Sequence, residues 1–497
     1  MKKYTSIVID SNFIYTTLGV IPPKENVLYS AFRVANNPPF SDVHAHGDID
    51  SVVFIIAYDM HTLIPPTKEQ SNFLADIAIK NGATLLITEM QLKNYPCLVV
   101  PNVIEALYKM LNAFFGKFTP PTVAVTGNIG KSTTTGFVTC VLQGDDTSVL
   151  PKIQSNSNDI RGVINSLCLS NAVCSYLVKE VMEGPPPGSA KIISNIIKPD
   201  IAIITQMSNS CIEHFDSIWH IFESSLEIQS GMPRSGVLLL NGDDCYQANA
   251  GTDLKKMYYA IENKNADFLA SNIELSTQGT SFDFTYQNIT TKMFINYIGK
   301  HNVYCALAAI ALAKWASVPN DVIRERLLQY KPSNVLKNIM SVNGHLLYMD
   351  CFNASEHSMY SALEALQIFD NRRKIAVIGD IRALGQHSEP VHKRIGKFIA
   401  NSNIDILLCF GEFSAYVAEN ASANKNISVF YSAKRKDIVE VLKSHAKKDD
   451  IILFKASMAM ELEKIAERAF GINLGIRRDK PIDRRFVDQY SHYTGAC

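Results

Sequence analysis

Residues 126–133 read Thr126-Gly127-Asn128-Ile129-Gly130-Lys131-Ser132-Thr133, and the fold of the chain is decided here. The stretch follows Thr122-Val123-Ala124-Val125, a short apolar run that is typical of a buried parallel strand. A helical pattern follows and continues to about residue 141. Glycines between a strand and a helix let backbone N–H groups turn inward around phosphate oxygens, and the helix N-terminus adds partial positive charge. The sequence therefore predicts a phosphate-binding loop.

Two side chains of this loop have the chemistry that a nucleotide needs. Lys131 can reach the β- and γ-phosphates, and the hydroxyl of Ser132 can ligate Mg²⁺. The standard motif has a glycine where Val125 stands, so the generic pattern fails at one residue, and an accidental Gly-Lys-Ser turn is the alternative. The preceding strand favours the phosphate loop. Its predicted nucleotide-binding residues are Thr126, Gly127, Asn128, Gly130, Lys131, Ser132 and Thr133.

The bulk properties limit the class of protein. The chain has 497 residues, which predicts roughly three domains, and its 47% hydrophobic residues suit a globular protein. Lysine plus arginine and aspartate plus glutamate both number 48, so no basic excess indicates a nucleic-acid partner. The ten cysteines show no zinc spacing and are predicted to be reduced thiols. Without a secretory signal or a long apolar run, we expect a cytoplasmic monomer with no membrane span.

Three blocks divide the chain, at residues 1–118, 119–332 and 333–497. Tandem prolines at 120–121 and the segment Lys331-Pro332-Ser333 mark the boundaries. In the central block, strands at 201–205 and 237–240 alternate with helical patterns, which predicts a doubly wound parallel sheet. The third block repeats this rhythm with strands at 346–349, 375–378, 406–409 and 451–454. We therefore predict an α/β protein with a small α/β N-terminal domain, a central P-loop domain and a C-terminal Rossmann-like domain.

Further motifs follow the loop in order along the chain. They are Asn241-Gly242-Asp243-Asp244, Gly299-Lys300-His301-Asn302-Val303, Asp350-Cys351-Phe352-Asn353-Ala354-Ser355, Gly379-Asp380-Ile381-Arg382-Ala383-Leu384-Gly385 and Lys455-Ala456-Ser457. With the loop, this ordered set closely resembles the Mur ligases, which are ATP-dependent amide-forming enzymes of peptidoglycan precursor synthesis. The resemblance covers residues 119–470. The segment that begins at Asp350 is most typical of the members that add D-alanyl-D-alanine.

The resemblance implies a reaction in which ATP phosphorylates a carboxylate and an amine then attacks the acyl phosphate. Catalysis of this kind consists mostly of positioning and of neutralising phosphate charge. Lys131 and Mg²⁺ would supply that charge, and His301 and Asn302 would contact the nucleotide. Asp350 and Asn353 would close over it from the third domain and orient the amine. The implied small-molecule partners are ATP, a carboxylate acceptor such as a UDP-muramoyl peptide, bound in part by the N-terminal domain, and an amine such as D-Ala-D-Ala.

The resemblance also implies a second metal-binding residue, a carboxylate that follows the loop in the chain and lies at a strand end. Glu180 and Glu183 are the two candidates, and Glu183 is slightly preferred because it stands directly before a glycine. The predicted metal ligands are therefore Ser132 and Glu183, and both glutamates are predicted catalytic residues together with Lys131 and Asp350. Asn156 and Asn158 resemble a segment that lies near the acceptor substrate.

Two of the departures from the family fall on positions that usually hold metal. Cys211 stands where a metal-ligating histidine is usual, and Ser225 stands where many members have a carbamylated lysine. The first block also lacks a clear element for uridine recognition, since Ser41-Asp42 is only a faint echo of it. Three hypotheses stay open: a ligase that joins a UDP-muramoyl peptide to D-Ala-D-Ala, a Mur-like ligase for a different carboxylate and amine, and an ATP-binding pseudo-ligase with a regulatory or partner role.

Overall fold

The computed structural model describes residues 10–23, 27, 31–35, 51–55, 68–80, 82–117, 120–143, 149–150, 175–184, 187–330, 337–351 and 353–474. These residues form sheets of four, nine and six strands, which succeed one another along the chain. The predicted boundary at 331–333 lies outside the described residues, as do Asn156, Asn158 and Ser41-Asp42.

The first sheet is parallel, with its strands in chain order. Its strands are β1 (Ala31–Ala35), β2 (Ser51–Ile55), β3 (Ala83–Thr88) and β4 (Cys97–Val99). The helices of this part are α1 (Ser11–Leu18), α2 (Lys68–Lys80) and α3 (Val103–Lys117). Helix α1 begins at an Asp10 cap, whose side chain accepts a hydrogen bond from the backbone N–H of Phe13 at 2.7 Å.

The nine-stranded sheet holds the predicted phosphate loop. Its strand order is β13-β12-β11-β10-β9-β8-β5-β7-β6. The strands are β5 (Thr122–Thr126), β6 (Val149–Leu150), β7 (Tyr176–Glu180), β8 (Ile201–Ile204), β9 (Val237–Asn241), β10 (Lys255–Ala260), β11 (Phe268–Ser276), β12 (Gly279–Tyr286) and β13 (Ile289–Ile295). The helices are α4 (Lys131–Leu142), α5 (Ser189–Ile197), α6 (Ile218–Leu226), α7 (Lys300–Trp315) and α8 (Asn320–Gln329). Short 3-10 turns lie at Ile212–His214, Glu227–Gly231 and Gln247–Asn249.

Both faces of this sheet are covered, which explains why its inner strands are apolar at every position. In β5, Val123 and Val125 pack in the core that contains α4 and α7, whereas Ala124 packs in the core that contains α5 and α6. Every residue of β5, β8 and β9 is buried. A parallel sheet with helices on both faces requires this pattern, so the predicted doubly wound core is confirmed.

An antiparallel extension of the sheet was not predicted. Strands β11, β12 and β13 pair antiparallel at the edge beyond the parallel strands. In β12, Phe282 and Phe284 are fully buried while Asp283 between them is not. This alternation is the signature of a strand with one buried face.

The six-stranded third sheet has the order β14-β15-β19-β16-β17-β18, and only its edge strand β14 runs antiparallel to its neighbour. Its strands are β14 (Lys337–Val342), β15 (His345–Asp350), β16 (Lys374–Gly379), β17 (Ile406–Phe410), β18 (Ser428–Ser432) and β19 (Ile451–Lys455). Its helices are α9 (Glu356–Gln367), α10 (Ser388–Ala400), α11 (Ser414–Ala421), α12 (Arg435–His445) and α13 (Glu463–Phe470), with 3-10 turns at Gly385–His387 and Met458–Met460. No helix within the described ranges is long and apolar enough to cross a membrane.

Candidate functional site

The phosphate loop connects the carboxyl end of β5 to the first residue of α4. Gly127 and Gly130 have φ angles of 111° and 87°, a region that side chains rarely adopt. A Cβ atom at Gly127 would lie 2.5 Å from Oγ1 of Thr205, and one at Gly130 would lie 2.9 Å from Sγ of Cys305. Both glycines are therefore required by backbone shape and by space, as a loop that wraps phosphates demands.

Lys131 is the first residue of α4, and its ammonium group is held inside the loop. Its Nζ lies 2.8 Å from Oε2 of Glu183 and donates to the backbone oxygens of Gly127 at 2.6 Å and Asn128 at 3.3 Å. The side chains of Lys131 and Glu183 are only 13% and 7% exposed. The positive charge therefore sits at the loop, partly neutralised by a buried carboxylate.

The two candidate glutamates take different partners. Glu180 is the last residue of β7, and its Oε1 accepts a hydrogen bond from Oγ of Ser132 at 3.2 Å. Glu183 is occupied by Lys131 and by Nδ2 of Asn128, which donates to its Oε1 at 3.2 Å. The structure thus places Glu180, and not the preferred Glu183, against the serine hydroxyl. The reason is that β7 ends at Glu180, whereas Glu183 lies three residues further along, where its carboxylate contacts Lys131 and Asn128.

The Ser132 and Glu180 oxygens suit a magnesium ion. Mg²⁺ prefers oxygen ligands and is usually held by one or two protein groups together with water and substrate phosphates. Among the residues that the structure describes, no group of three or more His, Cys, Asp or Glu side chains is arranged to hold a metal. The donor set therefore fits a metal that arrives with a nucleotide better than a permanently bound structural ion.

Threonine hydroxyls around the loop lie buried without a hydrogen-bond partner among the described residues. They belong to Thr126, beside Gly127, to Thr205, whose Oγ1 adjoins the Gly127 backbone, and to Thr134 in the first turn of α4. A buried hydroxyl without a partner destabilises a structure by about 1–3 kcal/mol. Thr133 is also buried, in the first turn of α4. This polar surround favours a ligand with many acceptor atoms.

Helix α7 contacts the loop from the face of the sheet on which Val123 and Val125 are buried. It begins directly after Gly299, over which the ring of His301 packs, since a Cβ atom there would lie 2.7 Å from Cε1 of that ring. Asn302 is buried, and its Nδ2 donates to the backbone oxygen of Ile298 at 2.9 Å. Its amide therefore shapes the start of α7. The contact with the loop itself comes from Cys305, which sequence reasoning missed, although its spacing of four residues from His301 places both on one helix face.

The two aspartates of the turn after β9 organise the backbone. Asp243 accepts hydrogen bonds from the backbone N–H groups of Ile261, Glu262 and Asn263 and from the hydroxyl of Tyr304. Burial tends to raise the pKa of Asp243, but these four donors outweigh it and lower the pKa. Asp244 accepts from the backbone N–H of Met207 at 2.9 Å, so the turn fixes the segment that follows β8.

In the third domain, the predicted residues meet around a buried lysine. Nζ of Lys455, at the end of β19, lies 3.2 Å from Oδ2 of Asp350 and donates to the backbone oxygen of Asn353 at 2.6 Å. Lys455 is 1% exposed, whereas the side chain of Asp350 is 18% exposed and Asn353 is exposed. The lysine therefore links the end of β15 to Asn353 from the protein interior, while the carboxylate of Asp350 stays partly exposed and Asn353 stays exposed.

The two departures from the family differ in structure as well. Ser225 is fully buried, and its hydroxyl donates to the backbone oxygen of Ile221 in its own helix at 3.0 Å. Cys211 is disulfide-bonded, which contradicts the prediction that every cysteine is a reduced thiol. The thiols of Cys97, Cys140, Cys245, Cys305, Cys351 and Cys409 are reduced. Neither Ser225 nor Cys211 presents the oxygen or nitrogen ligand that stands in the family pattern.

Comparisons with known proteins agree with this arrangement. Residues 125–313 match the Mur ligase middle domain, and residues 337–458 match the Mur ligase glutamate ligase domain. The UDP-N-acetylmuramoyl-tripeptide--D-alanyl-D-alanine ligase of Bacillus subtilis is 28% identical over 441 residues, which are 87% of this chain and 94% of that protein.

Solved structures have the same fold over nearly the whole chain. The crystal structure of MurF from Acinetobacter baumannii gives a TM-score of 0.79 at 20% identity and covers 94% of this chain and 100% of that one. The MurF ligase of Thermotoga maritima in complex with ADP gives 0.74 at 21% identity, with 89% and 98% covered. The resemblance that the ordered motifs predict is thus confirmed.

Proposed function

This chain belongs to the Mur ligase family, and from that premise we propose that it joins the carboxylate of a UDP-muramoyl tripeptide to the amino group of D-alanyl-D-alanine, with cleavage of ATP. The Bacillus subtilis relative carries that activity in its name. The observation that carries the proposal is the loop at 127–130, which holds the Lys131 ammonium group at a helix N-terminus, beside a serine hydroxyl and a carboxylate.

The proposed first step transfers the γ-phosphate of ATP to the carboxylate. A carboxylate oxygen forms a bond to the γ-phosphorus while the bond to the β,γ-bridging oxygen breaks, so ADP leaves and an acyl phosphate remains. Negative charge spreads over the transferring group, and its stabilisation by fixed positive groups is the main catalytic effect. Lys131 supplies such a charge from the loop, and the N-terminus of α4 adds the partial positive charge of its helix dipole.

We propose that the magnesium ion that accompanies ATP is held by Ser132 and Glu180, whose side-chain oxygens lie 3.2 Å apart. Such an ion neutralises phosphate charge when it is bound. Glu183 has a different proposed role, because its carboxylate holds Lys131 in place through a contact of 2.8 Å. His301 and the helix start that Asn302 shapes are proposed to contact the nucleotide from the α7 side.

The second step joins the two substrates. The amino group of D-Ala-D-Ala attacks the carbonyl carbon of the acyl phosphate, loses a proton, and phosphate leaves as the amide forms. Asp350 is the proposed orienting group for the amine, because its carboxylate is partly exposed and anchored by Lys455. A carboxylate in this position accepts hydrogen bonds from an approaching ammonium or amine. Asn353 lies on the same turn and is proposed to act with it.

The decisive experiment measures ADP release by purified full-length protein with MgATP. The reaction contains UDP-muramoyl tripeptide, D-Ala-D-Ala, both or neither, and the product is identified by mass spectrometry. We expect ADP release above background only when both substrates are present, in equal amount to the pentapeptide product. Lys131→Ala serves as the inactive control.

Two other outcomes would replace the proposal. Turnover with a different carboxylate and amine, but not with these substrates, would indicate a Mur-like ligase of other specificity. Binding of MgATP without turnover under any substrate set would indicate a pseudo-ligase, for which the loss of the usual ligands at Cys211 and Ser225 provides a reason. The disulfide at Cys211 and the burial of Ser225 make this second outcome worth testing directly.

A further inference from the structure

The segment 206–210, which we call the strap, follows β8 and lies between the phosphate loop and the start of α9 in the third domain. It reads Gln206-Met207-Ser208-Asn209-Ser210 and ends directly before Cys211, a position at which the sequence departs from the family. Its backbone is fixed from behind, because Asp244 accepts a hydrogen bond from the N–H of Met207 at 2.9 Å. Four of its side-chain and backbone groups contact the phosphate loop or the third domain: the backbone oxygens of Gln206 and Ser210 and the side chains of Ser208 and Asn209.

The first side of the strap contacts the phosphate loop. The backbone oxygen of Gln206 accepts from the N–H of Ile129 at 3.0 Å. The hydroxyl of Ser208 donates to Oδ1 of Asn128, and Nδ2 of Asn128 donates to the backbone oxygen of Ser210 at 3.1 Å. Asn128 is thus held on both ends of its amide group by the strap.

The second side of the strap contacts the start of α9 in the third domain. Nδ2 of Asn209 donates to Oε2 of Glu356 at 3.2 Å, and Nε2 of Gln206 lies 3.2 Å from Nε2 of His357. Glu356 is itself fixed by a bidentate pair with Arg394, at 2.6 and 2.7 Å. The strap therefore binds a carboxylate that is already rigid in its own domain.

These contacts form a continuous path between the two domains. Lys131 binds Glu183, Glu183 also binds Asn128, and Asn128 binds the strap. On the far side, Glu356 follows the turn on which Asp350 and Asn353 lie, and the side chain of Ser355 caps α9 immediately before it. A shift of Glu356 relative to the strap would therefore move the proposed amine-orienting turn relative to the phosphate loop.

We propose that the strap sets the position of the C-terminal domain over the phosphate loop, with Gln206 and Asn209 as positioning residues of the ligase reaction. The inference rests on the proposed function for its kinetic consequence but not for the contact itself. Both residues act through other groups: Gln206 and Asn209 hold α9, and α9 carries the turn that faces the substrates. Correct relative placement of reacting groups within about 1 Å is worth large rate factors in two-substrate reactions.

The test uses Asn209→Asp, which changes a single amide group to a carboxylate. Its new charge would face Glu356, whose pKa is lowered: burial raises it, but the guanidinium of Arg394 and the hydroxyl of Tyr360 outweigh burial and keep the group ionised. Two carboxylates in contact repel each other, so the change should open the strap while the side-chain shape is kept. The exposed Asn265→Asp adds the same charge elsewhere on the central domain and is the matched control.

Two readouts separate the strap from the function of the enzyme. Hydrogen exchange measured by mass spectrometry on the full chain with MgADP reports protection of residues 205–211 and 356–367 without any turnover. Titration calorimetry reports the Kd for MgATP. We expect Asn209→Asp to lose protection in both segments and to keep its Kd for MgATP within about threefold. Its kcat should fall roughly tenfold or more, the loss expected when one charge-assisted hydrogen bond is removed.

A double variant provides the rescue. In Asn209→Asp with Glu356→Gln, the amide of the new glutamine can donate to the new carboxylate, so protection of 356–367 should return toward the wild-type level. Wild-type exchange and wild-type kcat in Asn209→Asp would overturn the strap. Failure of wild-type protein to form the amide would instead overturn the proposed function, while the exchange result would still decide the strap.

Discussion

The ion pair inside the phosphate loop leads to a quantitative prediction about Glu183→Gln. The carboxylate of Glu183 lies 2.8 Å from Nζ of Lys131, and both side chains are largely buried. Removing one partner of a buried pair destabilises a protein by about 3–5 kcal/mol, because the remaining charge lacks compensation. Here the new glutamine keeps an oxygen for the lysine, and the Lys131 side chain is 13% exposed. We therefore expect a loss of about 2 kcal/mol in the free energy of unfolding.

The sign of the effect on nucleotide binding follows from the same pair. In the free protein Glu183 competes with phosphate for the Lys131 ammonium group, and in the complex the phosphates provide the negative charge. The variant should therefore be destabilised mainly in the free state, and its affinity for MgATP should rise. A recovery of about 1.4 kcal/mol corresponds to a tenfold lower Kd.

The assay is urea unfolding with and without MgATP, combined with titration calorimetry, for wild-type protein, Glu183→Gln and Glu180→Gln. Ligand at a hundred times its Kd adds about 2.7 kcal/mol to the stability of the native state, so the comparison lies well within the range of the method. Glu180→Gln, which removes a proposed metal ligand, should instead raise the Mg²⁺ concentration needed for binding. Weaker MgATP binding by Glu183→Gln, with no change in Glu180→Gln, would refute the division of roles and restore Glu183 as the metal ligand.

Three further predictions concern other parts of the molecule. Gly127→Ala places a Cβ atom against the backbone of Thr205 at a φ of 111°, so it should lower the free energy of unfolding by about 2–4 kcal/mol in urea and abolish MgATP binding. The control Gly116→Ala, whose Cβ atom would meet nothing within 4 Å, should be neutral or slightly stabilising. Asp350→Asn leaves the buried Lys455 without its carboxylate and should lower the free energy of unfolding by about 3 kcal/mol. Lys455→Met removes the buried charge itself and should destabilise the protein less. The reverse order in urea unfolding would contradict this account. His392 lies buried in α10, and burial lowers its pKa. Below the ordinary histidine pKa the unfolded chain therefore binds a proton that the folded chain does not, so the free energy of unfolding decreases as the pH falls. The urea midpoint should therefore drop less between pH 7.5 and 5.5 in His392→Gln than in wild type, and equal drops would show that this histidine is not responsible.

The parts of the site that sequence predicts are those in which neighbours along the chain are neighbours in space. The phosphate loop is of this kind, because strand, glycines and helix start form one continuous segment, and Gly127, Gly130, Lys131 and Ser132 occur where the pattern predicts. The parallel strands were also predictable, because burial on both faces imposes an uninterrupted apolar run.

The choice between Glu180 and Glu183 could not be made from sequence. It depends on where β7 ends and on which partners each carboxylate meets in the folded protein, and neither is encoded by a local pattern. The strap was missed for a related reason. Its hydrogen bonds join Ser208 to Asn128, 80 residues away, and Asn209 to Glu356, 147 residues away, so only the packed structure reveals them. The antiparallel strands were missed although β12 carries a readable alternation, with Phe282 and Phe284 buried and Asp283 between them not.

The turn after β9 has a consequence for how mutational surveys of this enzyme are interpreted. Asp243 accepts four hydrogen bonds, and Asp244 accepts hydrogen bonds from the backbone N–H groups of Met207, Tyr246 and Gln247. These carboxylates therefore hold three backbone segments together. We expect substitution of either to lower the amount of folded protein and, with it, the activity in a cell, as substitution of a reacting group lowers the activity directly. A survey scored by survival alone would thus count Asp243 and Asp244 as catalytic residues. Only a measurement of the amount of folded protein in each variant would show that their role is structural.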